Sequence, residues 1–268
     1  MTNNSLNTKT IFQELSIQLA MNGLSFSLRD TVSGNLLKLK YFSFKKIENE
    51  QELLQEIQEL IALEKLAESS YDSIQVTAIN NTLAFVPNVL FEENNLADYL
   101  KFSNKLEPTD VLSYDSIDSI DAKIVYKPFT TINNYLFEVF GSFEASHHCE
   151  KLLHYFQQES KQSLNIKKCY LYFRENTFDC FILNQNKLLF YNNFTFQNDE
   201  DVLYFLLFTF EQYNLKQENN PILISGDLNS SSSLFQLLQK YFKQLSKLPI
   251  KQNGLFDALA LQKTIPLL

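Results

Sequence analysis

The chain has 268 residues, of which 45% are hydrophobic and 20% are charged, with only 5 Gly and 6 Pro. This composition is typical of a globular protein and excludes the collagen-like and disordered classes. A formal net charge of −8 disfavours binding to nucleic acid or to acidic membranes, because both attract basic surfaces. Three cysteines cannot all pair within one chain, which favours a reducing cytoplasm over a disulfide scaffold.

Segments that would direct the chain into or across a membrane are not apparent in the sequence. The N-terminal stretch lacks a basic region followed by an apolar one. The longest apolar run, 202–208, is far shorter than the roughly 20 residues that a membrane helix needs. We therefore expect a cytoplasmic protein without membrane insertion.

The first part of the chain predicts a three-strand antiparallel meander, then a helix and a strand. Alternating apolar residues separated by turn residues predict strands at 15–19, 24–28 and 36–42. Helical periodicity with an acidic outer face predicts an amphipathic helix over 48–66. A strand is predicted at 73–79.

The last part of the chain repeats this order of elements. The pattern predicts strands at 168–173, 177–183 and 187–196, a helix at 202–213, a strand at 221–225 and a serine-capped helix at 234–245. Aromatic residues occupy both alternation phases of the second meander, so we expect both faces of its sheet to be buried. The economical interpretation is an α/β protein that contains one topology twice.

The region between the two repeats is less regular. It contains predicted strands at 82–86, 111–113 and 122–126, and predicted helices are found at 96–102, 132–140 and 149–158. We place the boundary between two lobes within it, which gives an N-terminal lobe of residues 1–108 and a C-terminal lobe of residues 109–268.

Duplicated units of three-strand meander, helix, strand and helix resemble the ribonuclease-H-like lobes of the actin-like ATPase superfamily. The chain more closely resembles a family of bacterial proteins of unknown function with that fold. This likeness is carried by the segments 15–26, 85–91, 99–102, 140–147 and 224–227. The resemblance implies two ribonuclease-H-like lobes packed about a cleft in an actin-like ATPase arrangement.

The nucleotide-binding motifs of that superfamily are degenerate in this sequence. Active members turn each meander through an Asp-x-Gly loop, in which a carboxylate holds magnesium and a glycine admits the phosphate. The corresponding stretches here are Gln18-Leu19-Ala20 and Tyr172-Phe173-Arg174, which have neither residue. The resemblance therefore implies that both phosphate loops are lost, and we predict no catalytic residues and no cofactor.

One remnant of nucleotide binding is suggested by Ser225, Gly226 and Asp227, which resemble the adenosine-side loop of the superfamily. Backbone amides at the start of the following helix would donate hydrogen bonds to an anion. The alternative is that Ser230–Ser233 only cap that helix and fill a tight turn. Arg174 could contact a phosphate, and Asp179 or Asp227 could reach the cleft from another element.

A cluster of transition-metal ligand types is formed by His147, His148, Cys149, Glu150 and His154. Structural zinc sites need four ligands, commonly supplied by two separate arms, and a second arm is missing here. We therefore predict no metal site and expect these residues to lie at the surface or to cap a helix.

The remaining feature of the sequence is its high content of aromatic residues, with 24 Phe and 13 Tyr. Aromatic residues are enriched at the centres of protein interfaces, although a thick core explains them equally well. Tyr191 and Phe194, flanked by asparagines near the end of the last meander strand, are our candidate partner-binding residues. The function predicted is a non-catalytic binding or scaffold module for an unidentified protein partner, or for a second copy of the chain. The alternative is a nucleotide-binding protein with residual or atypical phosphoryl transfer.

Overall fold

The computed structural model describes residues 12–45, 47–160 and 166–248. Internal contacts divide the chain into two compact units, each built from two segments. The first unit holds the described residues up to Ala78 together with Phe129–Ala145, and the second holds Ile79–Pro128 and the residues from Ser146 onward. The predicted lobes 1–108 and 109–268 instead divide the chain at a single point. The two divisions differ because residues 79–128 form a sheet of their own that groups with the later part of the chain.

The described residues form thirteen strands and six α-helices. The strands are β1 (Gln13–Ala20), β2 (Gly23–Asp30), β3 (Leu36–Ser43), β4 (Ser73–Ala78), β5 (Leu83–Pro87), β6 (Ser113–Ile117), β7 (Ala122–Tyr126), β8 (Glu144–His147), β9 (Lys167–Arg174), β10 (Thr177–Asn184), β11 (Lys187–Thr195), β12 (Ile222–Gly226) and β13 (Leu245–Lys247). The helices are α1 (Glu50–Leu63), α2 (Leu96–Leu100), α3 (Thr130–Phe140), α4 (His148–Ser160), α5 (Asp199–Gln212) and α6 (Ser233–Tyr241). Within the described ranges, no helix is both long enough and apolar enough to span a bilayer.

Two five-stranded sheets have the same topology. In the first the order is β3-β2-β1-β4-β8, and in the second it is β11-β10-β9-β12-β13. The first three strands of each are antiparallel, and the first strand then pairs in parallel with the strand that follows the helix. The predicted repeat of meander, helix, strand and helix is therefore confirmed.

Each repeated sheet packs its own apolar core. In the first unit Leu53, Ile57 and Leu60 of α1 are buried, and the side chain of Asn49 caps the helix by accepting from the amides of Gln51 and Glu52. The core of the second unit includes residues from β9, β10, β12, α5 and α6. Seven of the eight residues of β10 are buried, as predicted for both faces of the second meander. The prediction is wrong for β11, which has no fully buried residue because it is the edge strand of the sheet.

Residues 79–128 form a three-stranded antiparallel sheet in the order β5-β7-β6. The predicted strand at 111–113 begins two residues too early and ends too soon, because β6 covers Ser113–Ile117 and includes Asp115. The predicted helix at 234–245 is also too long. It ends at Tyr241, and Leu245–Lys247 form the edge strand β13.

Gly226 ends β12 against the neighbouring strand β9. It has a φ of +82°, and a Cβ at this position would overlap the backbone of Phe173. Gly141 has a similar φ of +78°, but a Cβ there would meet nothing within 4 Å. The two glycines therefore share a left-handed backbone and differ in the space around them.

We expect Gly226→Ala to lower the free energy of unfolding by at least about 2 kcal/mol more than Gly141→Ala does. Both variants carry the cost of a left-handed non-glycine residue, about 1–3 kcal/mol. Only Gly226→Ala also forces two strands apart. Chemical denaturation of both variants measures the difference, and equal losses would show that the close approach of Gly226 to Phe173 is unimportant.

Candidate functional site

The side chain of Asp179 is the centre of a buried polar cluster in the second unit. Asp179 lies in the middle strand of the meander and is completely buried. The same strand contributes Phe178, Cys180 and Phe181, which are also buried, so the surroundings along β10 are apolar. An ionised carboxylate in such a place needs several hydrogen-bond donors to replace water.

Five side chains contact the carboxylate of Asp179. Tyr191 Oη donates to Oδ1 at 2.8 Å, and Asn193 Nδ2 donates to the same oxygen at 2.9 Å. Arg174 Nη2 donates to Oδ2 at 3.1 Å, and His148 Nε2 lies 3.0 Å from Oδ2. The thiol of Cys149 is a longer contact, 3.7 Å from Oδ1. Each carboxylate oxygen thus has at least two partners.

Sheet register explains why these residues meet. Asn193 is directly opposite Asp179 in β11, and Tyr191 is two residues away from Asn193 on the same face. Arg174 ends β9 beside the start of β10. His148 begins α4, whose buried residues Leu152 and Phe156 follow it at intervals of four and face the sheet.

Burial and charge act in opposite directions on this cluster. Burial alone would raise the pKa of Asp179, but the charge of Arg174 and the contacts of His148 and Asn193 hold that pKa far below its usual range. Burial alone would lower the pKa of Arg174. The charge of Asp179 has a larger, opposite effect, so the pKa of Arg174 is raised. The two charges thus stabilise each other, and Asp179 and Arg174 form an ion pair with an N–O distance of 3.1 Å.

Cys149 and His148 do not have the geometry of a nucleophile and its base. Cys149 Sγ lies 3.5 Å from His148 Nε2, and the same nitrogen contacts Asp179. Since an ionised carboxylate only accepts, Nε2 carries the proton and has no lone pair for the thiol. Burial also raises the pKa of the Cys149 thiol well above its usual value, whereas a nucleophilic cysteine needs a lowered one.

Potential metal-ligand atoms of His147, His148 and Cys149 lie within 4.8 Å of one another. A zinc site would need a fourth ligand, and the nearest carboxylate, Asp179, already accepts from four side chains that include a guanidinium. This arrangement fits a hydrogen-bonded network better than a cation. The absence of a metal remains a prediction. The expected surface position is wrong for His147, His148 and Cys149, which are fully buried, whereas His147 does cap α4, since its Nδ1 accepts from the amide of Cys149 at 3.3 Å.

The burial of His147 and His148 is not expected if they are treated as isolated polar residues. His148 and Cys149 in fact begin the apolar stripe of α4 that continues through Leu152 and Leu153. This periodicity was visible in the sequence, as was the isolated Asp179 within an apolar strand. Together they would have indicated that Asp179 and His148 are both buried and need hydrogen-bond partners, but not that they contact each other.

The predicted adenosine-side residues have structural contacts of their own. Ser225 is buried, and its hydroxyl donates to the carbonyl of Leu171 at 3.0 Å. Gly226 packs against Phe173, whose carbonyl also accepts from the amide of Asp227. The following helix is capped by Ser232, which accepts from the amide of Phe235. Nucleotide binding by Ser225, Gly226 and Asp227 remains a prediction.

A groove of about 700 Å³ lies beside the polar cluster in the second unit. It is lined by Asn81, Leu83, Ala84, Phe85, Ser103, Asn104, Leu188, Leu189, Phe190, Tyr191, Asn192, Asn193, Thr195 and Tyr213. Tyr191 and Asn193 thus contact both the groove and Asp179. Asn81 does the same through Arg174, whose Nη2 donates to Asn81 Oδ1 at 2.7 Å.

The two predicted partner-binding aromatics have different surroundings. Tyr191 lines the groove and packs on Phe85 and Phe181, with ring centroids 4.8 Å apart in both pairs. Phe194 faces α5, where it stacks on Phe205 at 4.7 Å. Both residues are half-buried, and their partner-binding role remains a prediction.

We expect Asp179→Asn to lower the free energy of unfolding by about 3 kcal/mol or more, because Arg174 would keep a buried charge without its counterion. The matched control is Asp118→Asn, an exposed aspartate in the same unit, which should change stability by less than about 0.5 kcal/mol. Denaturant titration measures both. A nearly neutral Asp179→Asn would contradict the central role of this carboxylate.

Acid should weaken the fold through His147. Burial lowers the pKa of His147 well below 6.5, and His148 and Arg174 lower it further, against the opposing effect of Asp179. Below pH 6.5 the unfolded chain therefore binds a proton that the folded chain does not, so the free energy of unfolding falls as the pH decreases. This residue contributes up to about 1.4 kcal/mol per pH unit.

The slope of stability against pH between 7 and 5 should be shallower in His147→Gln than in the wild type. His154→Gln is the matched control, since it removes an exposed histidine from α4. Identical slopes in all three proteins would show that His147 does not titrate as its burial requires.

Comparison with known proteins gives a fold and a family. A family model described as "Protein of unknown function (DUF3822)" matches residues 2–245. No curated protein matches the sequence. A crystal structure from Bacteroides thetaiotaomicron, of a protein with actin-like ATPase fold and unknown function, superposes with a TM-score of 0.82 at 22% identity, covering 95% of this chain and 97% of that one.

A second similar structure is the PilM-PilN type IV pilus biogenesis complex. It matches with a TM-score of 0.62 at 11% identity and covers 93% of this chain and 96% of that one. These likenesses show the fold, in agreement with the duplicated sheet topology described above. The chain therefore has the actin-like ATPase fold and belongs to the DUF3822 family of proteins of unknown function.

Proposed function

We propose that this protein is a non-catalytic, cytoplasmic protein-binding module whose docking surface is the groove beside β11. The observation that carries the proposal is the chemistry of the groove lining. Apart from Tyr191 and Tyr213 the lining residues have no titratable side chain, and the rest are aliphatic, aromatic, hydroxyl or amide. Such a surface suits a protein segment, whereas an active site concentrates titratable groups.

The same lining is unsuited to a nucleotide. A bound triphosphate needs positive charge or magnesium with its carboxylate ligands, and the described lining residues include no Lys, Arg, Asp or Glu. The nearest cation, Arg174, is committed to Asp179 and Asn81. An arriving phosphate would have to break a buried ion pair to reach it.

The positions that resemble the superfamily's phosphate loops support the same proposal. Gln18 is buried in β1, where its side-chain oxygen lies 3.4 Å from the hydroxyl of Ser25. Tyr172 is buried in β9. Neither residue offers a carboxylate to magnesium, which is the part of phosphoryl transfer that the protein must supply.

The polar cluster prepares the groove for binding. Tyr191 and Asn193 are fixed through their contacts with Asp179, and Asn81 is fixed through Arg174. Side chains that are already ordered lose little entropy when a partner binds. The PilM-PilN complex lends support by analogy of fold, since it is an assembly of two proteins.

Affinity purification of the chain at its native level should recover a protein partner in stoichiometric amount. Tyr191→Ser should lose most of that partner, because it removes an aromatic wall of the groove and a contact to Asp179. The matched control is Tyr204→Ser on α5, which changes an exposed tyrosine outside the groove and should retain the partner. Circular dichroism and thermal unfolding check that both variants are folded.

The purified protein should also give no calorimetric signal with magnesium and ATP and no release of phosphate. Saturable binding with metal-dependent turnover, combined with no recovered partner, would overturn the proposal in favour of a nucleotide enzyme. A partner that survives Tyr191→Ser would place the docking surface elsewhere.

A further inference from the structure

We propose that the groove binds an extended, uncharged segment of another protein as an added strand on the free edge of β11. This inference rests on the proposed protein-binding function and specifies how the partner is held. The bound segment would pair its backbone with β11 and would be opposed by the six residues Leu188–Asn193, which corresponds to about 20 Å of extended chain.

The lining pattern identifies the edge of β11, and not one of its faces, as the base of the groove. Successive side chains of a strand point to opposite faces, so a groove on one face would be lined by alternate residues. Here all residues from Leu188 to Asn193 line the groove, and the four from Phe190 to Asn193, beyond the bulge at Leu189, pair with β10 in unbroken register. Since β11 pairs only with β10 in its sheet, the opposite edge of the strand faces this space.

Each face of the sheet contributes a wall beside this edge. On one face, the ring of Phe85 packs on Tyr191 with centroids 4.8 Å apart. On the other, the ring of Tyr213 packs on Phe190 at the same distance. The edge therefore lies in a trough, which admits one extended segment but hinders the approach of a second folded copy edge to edge.

Natural sheet edges are protected by lysines, prolines, β-bulges or very short strands. Strand β11 has a bulge at Leu189, where its register with β10 shifts, but the stretch from Phe190 to Asn193 has none of these features. The edge strand β3 of the other repeated sheet has Lys38 and Lys40, and the edge strand β13 has three residues. In contrast, β11 has nine residues, no proline, and a single charged residue at Lys187, before the stretch that lines the groove.

The walls determine the chemistry of the bound segment. An added strand would direct alternate side chains to the Phe85 wall and to the Tyr213 wall. Both walls are uncharged, so a charged side chain would lose water without gaining a counterion. We therefore expect at least four consecutive uncharged residues, with apolar or amide side chains toward both walls.

The test uses the full-length chain and a displayed library of random 12-residue peptides. Selected peptides should contain a run of at least four uncharged residues. Asn192→Lys should weaken the affinity of the best peptide at least tenfold, because it introduces a charge at an exposed position of the groove. The matched control, Ser43→Lys, introduces the same charge on the edge strand β3 and should leave the affinity within twofold.

Strand addition also predicts a dependence on backbone hydrogen bonds, which needs no protein variant. In an added strand, only alternate residues direct their amides toward the neighbouring strand. Peptides N-methylated at even positions and at odd positions should therefore differ, with one set at least tenfold weaker and the other within threefold. Hydrogen exchange should show new protection at alternate amides of Phe190–Asn193, where β11 is regular.

Equal binding by both N-methylated sets would overturn strand addition while leaving the proposed protein-binding function intact. Peptides that are insensitive to Asn192→Lys would overturn the assignment to this groove. Dimerisation of the wild type that Asn192→Lys abolishes would assign the edge to a second copy of the chain. Displacement of the selected peptide by a synthetic copy of residues 249–268 would assign the groove to the chain's own C-terminal segment. Either result would overturn the proposal.

Discussion

The arrangement of the second unit depends on one constraint, which is the burial of the Asp179 carboxylate between two apolar layers. Taking such a charge out of water costs several kcal/mol unless donors replace the lost solvent. The chain supplies them from β9, β11 and the first turn of α4. The positions of these elements relative to β10 are therefore tied to a single side chain.

This constraint also links the interior of the unit to its surface. Tyr191 and Asn193 donate hydrogen bonds to Asp179 and also line the groove. Asn81 lines the groove as well, and it is linked to Asp179 through the side chain of Arg174. Three polar side chains of the groove are therefore held from within. Under the proposed function, fixed amide groups on an uncharged surface would favour backbone and amide partners, because unmatched polar groups would be buried without hydrogen bonds.

The fold was accessible from the sequence because its signals are local. Alternation of apolar residues and the turns at Asn22-Gly23 and 184–186 define each meander, and the apolar stripe of α1 defines its buried face. The short strands β8 and β13 were missed, since three or four residues carry too little periodicity to be distinguished from a loop. The site was less accessible, because Asp179 and His148 are 31 positions apart and only the tertiary fold brings them together.

The buried ion pair is explained better by specificity than by stability. Replacing such a pair with apolar residues of similar size is often neutral or stabilising, so net stability does not account for Arg174 and Asp179. Apolar replacements would, however, leave the hydroxyl of Tyr191 and the amide of Asn193 without the partner that orients them. Arg174 at the end of β9 thus faces a carboxylate of its own chain on β10, and this pairing orients the two polar side chains of β11.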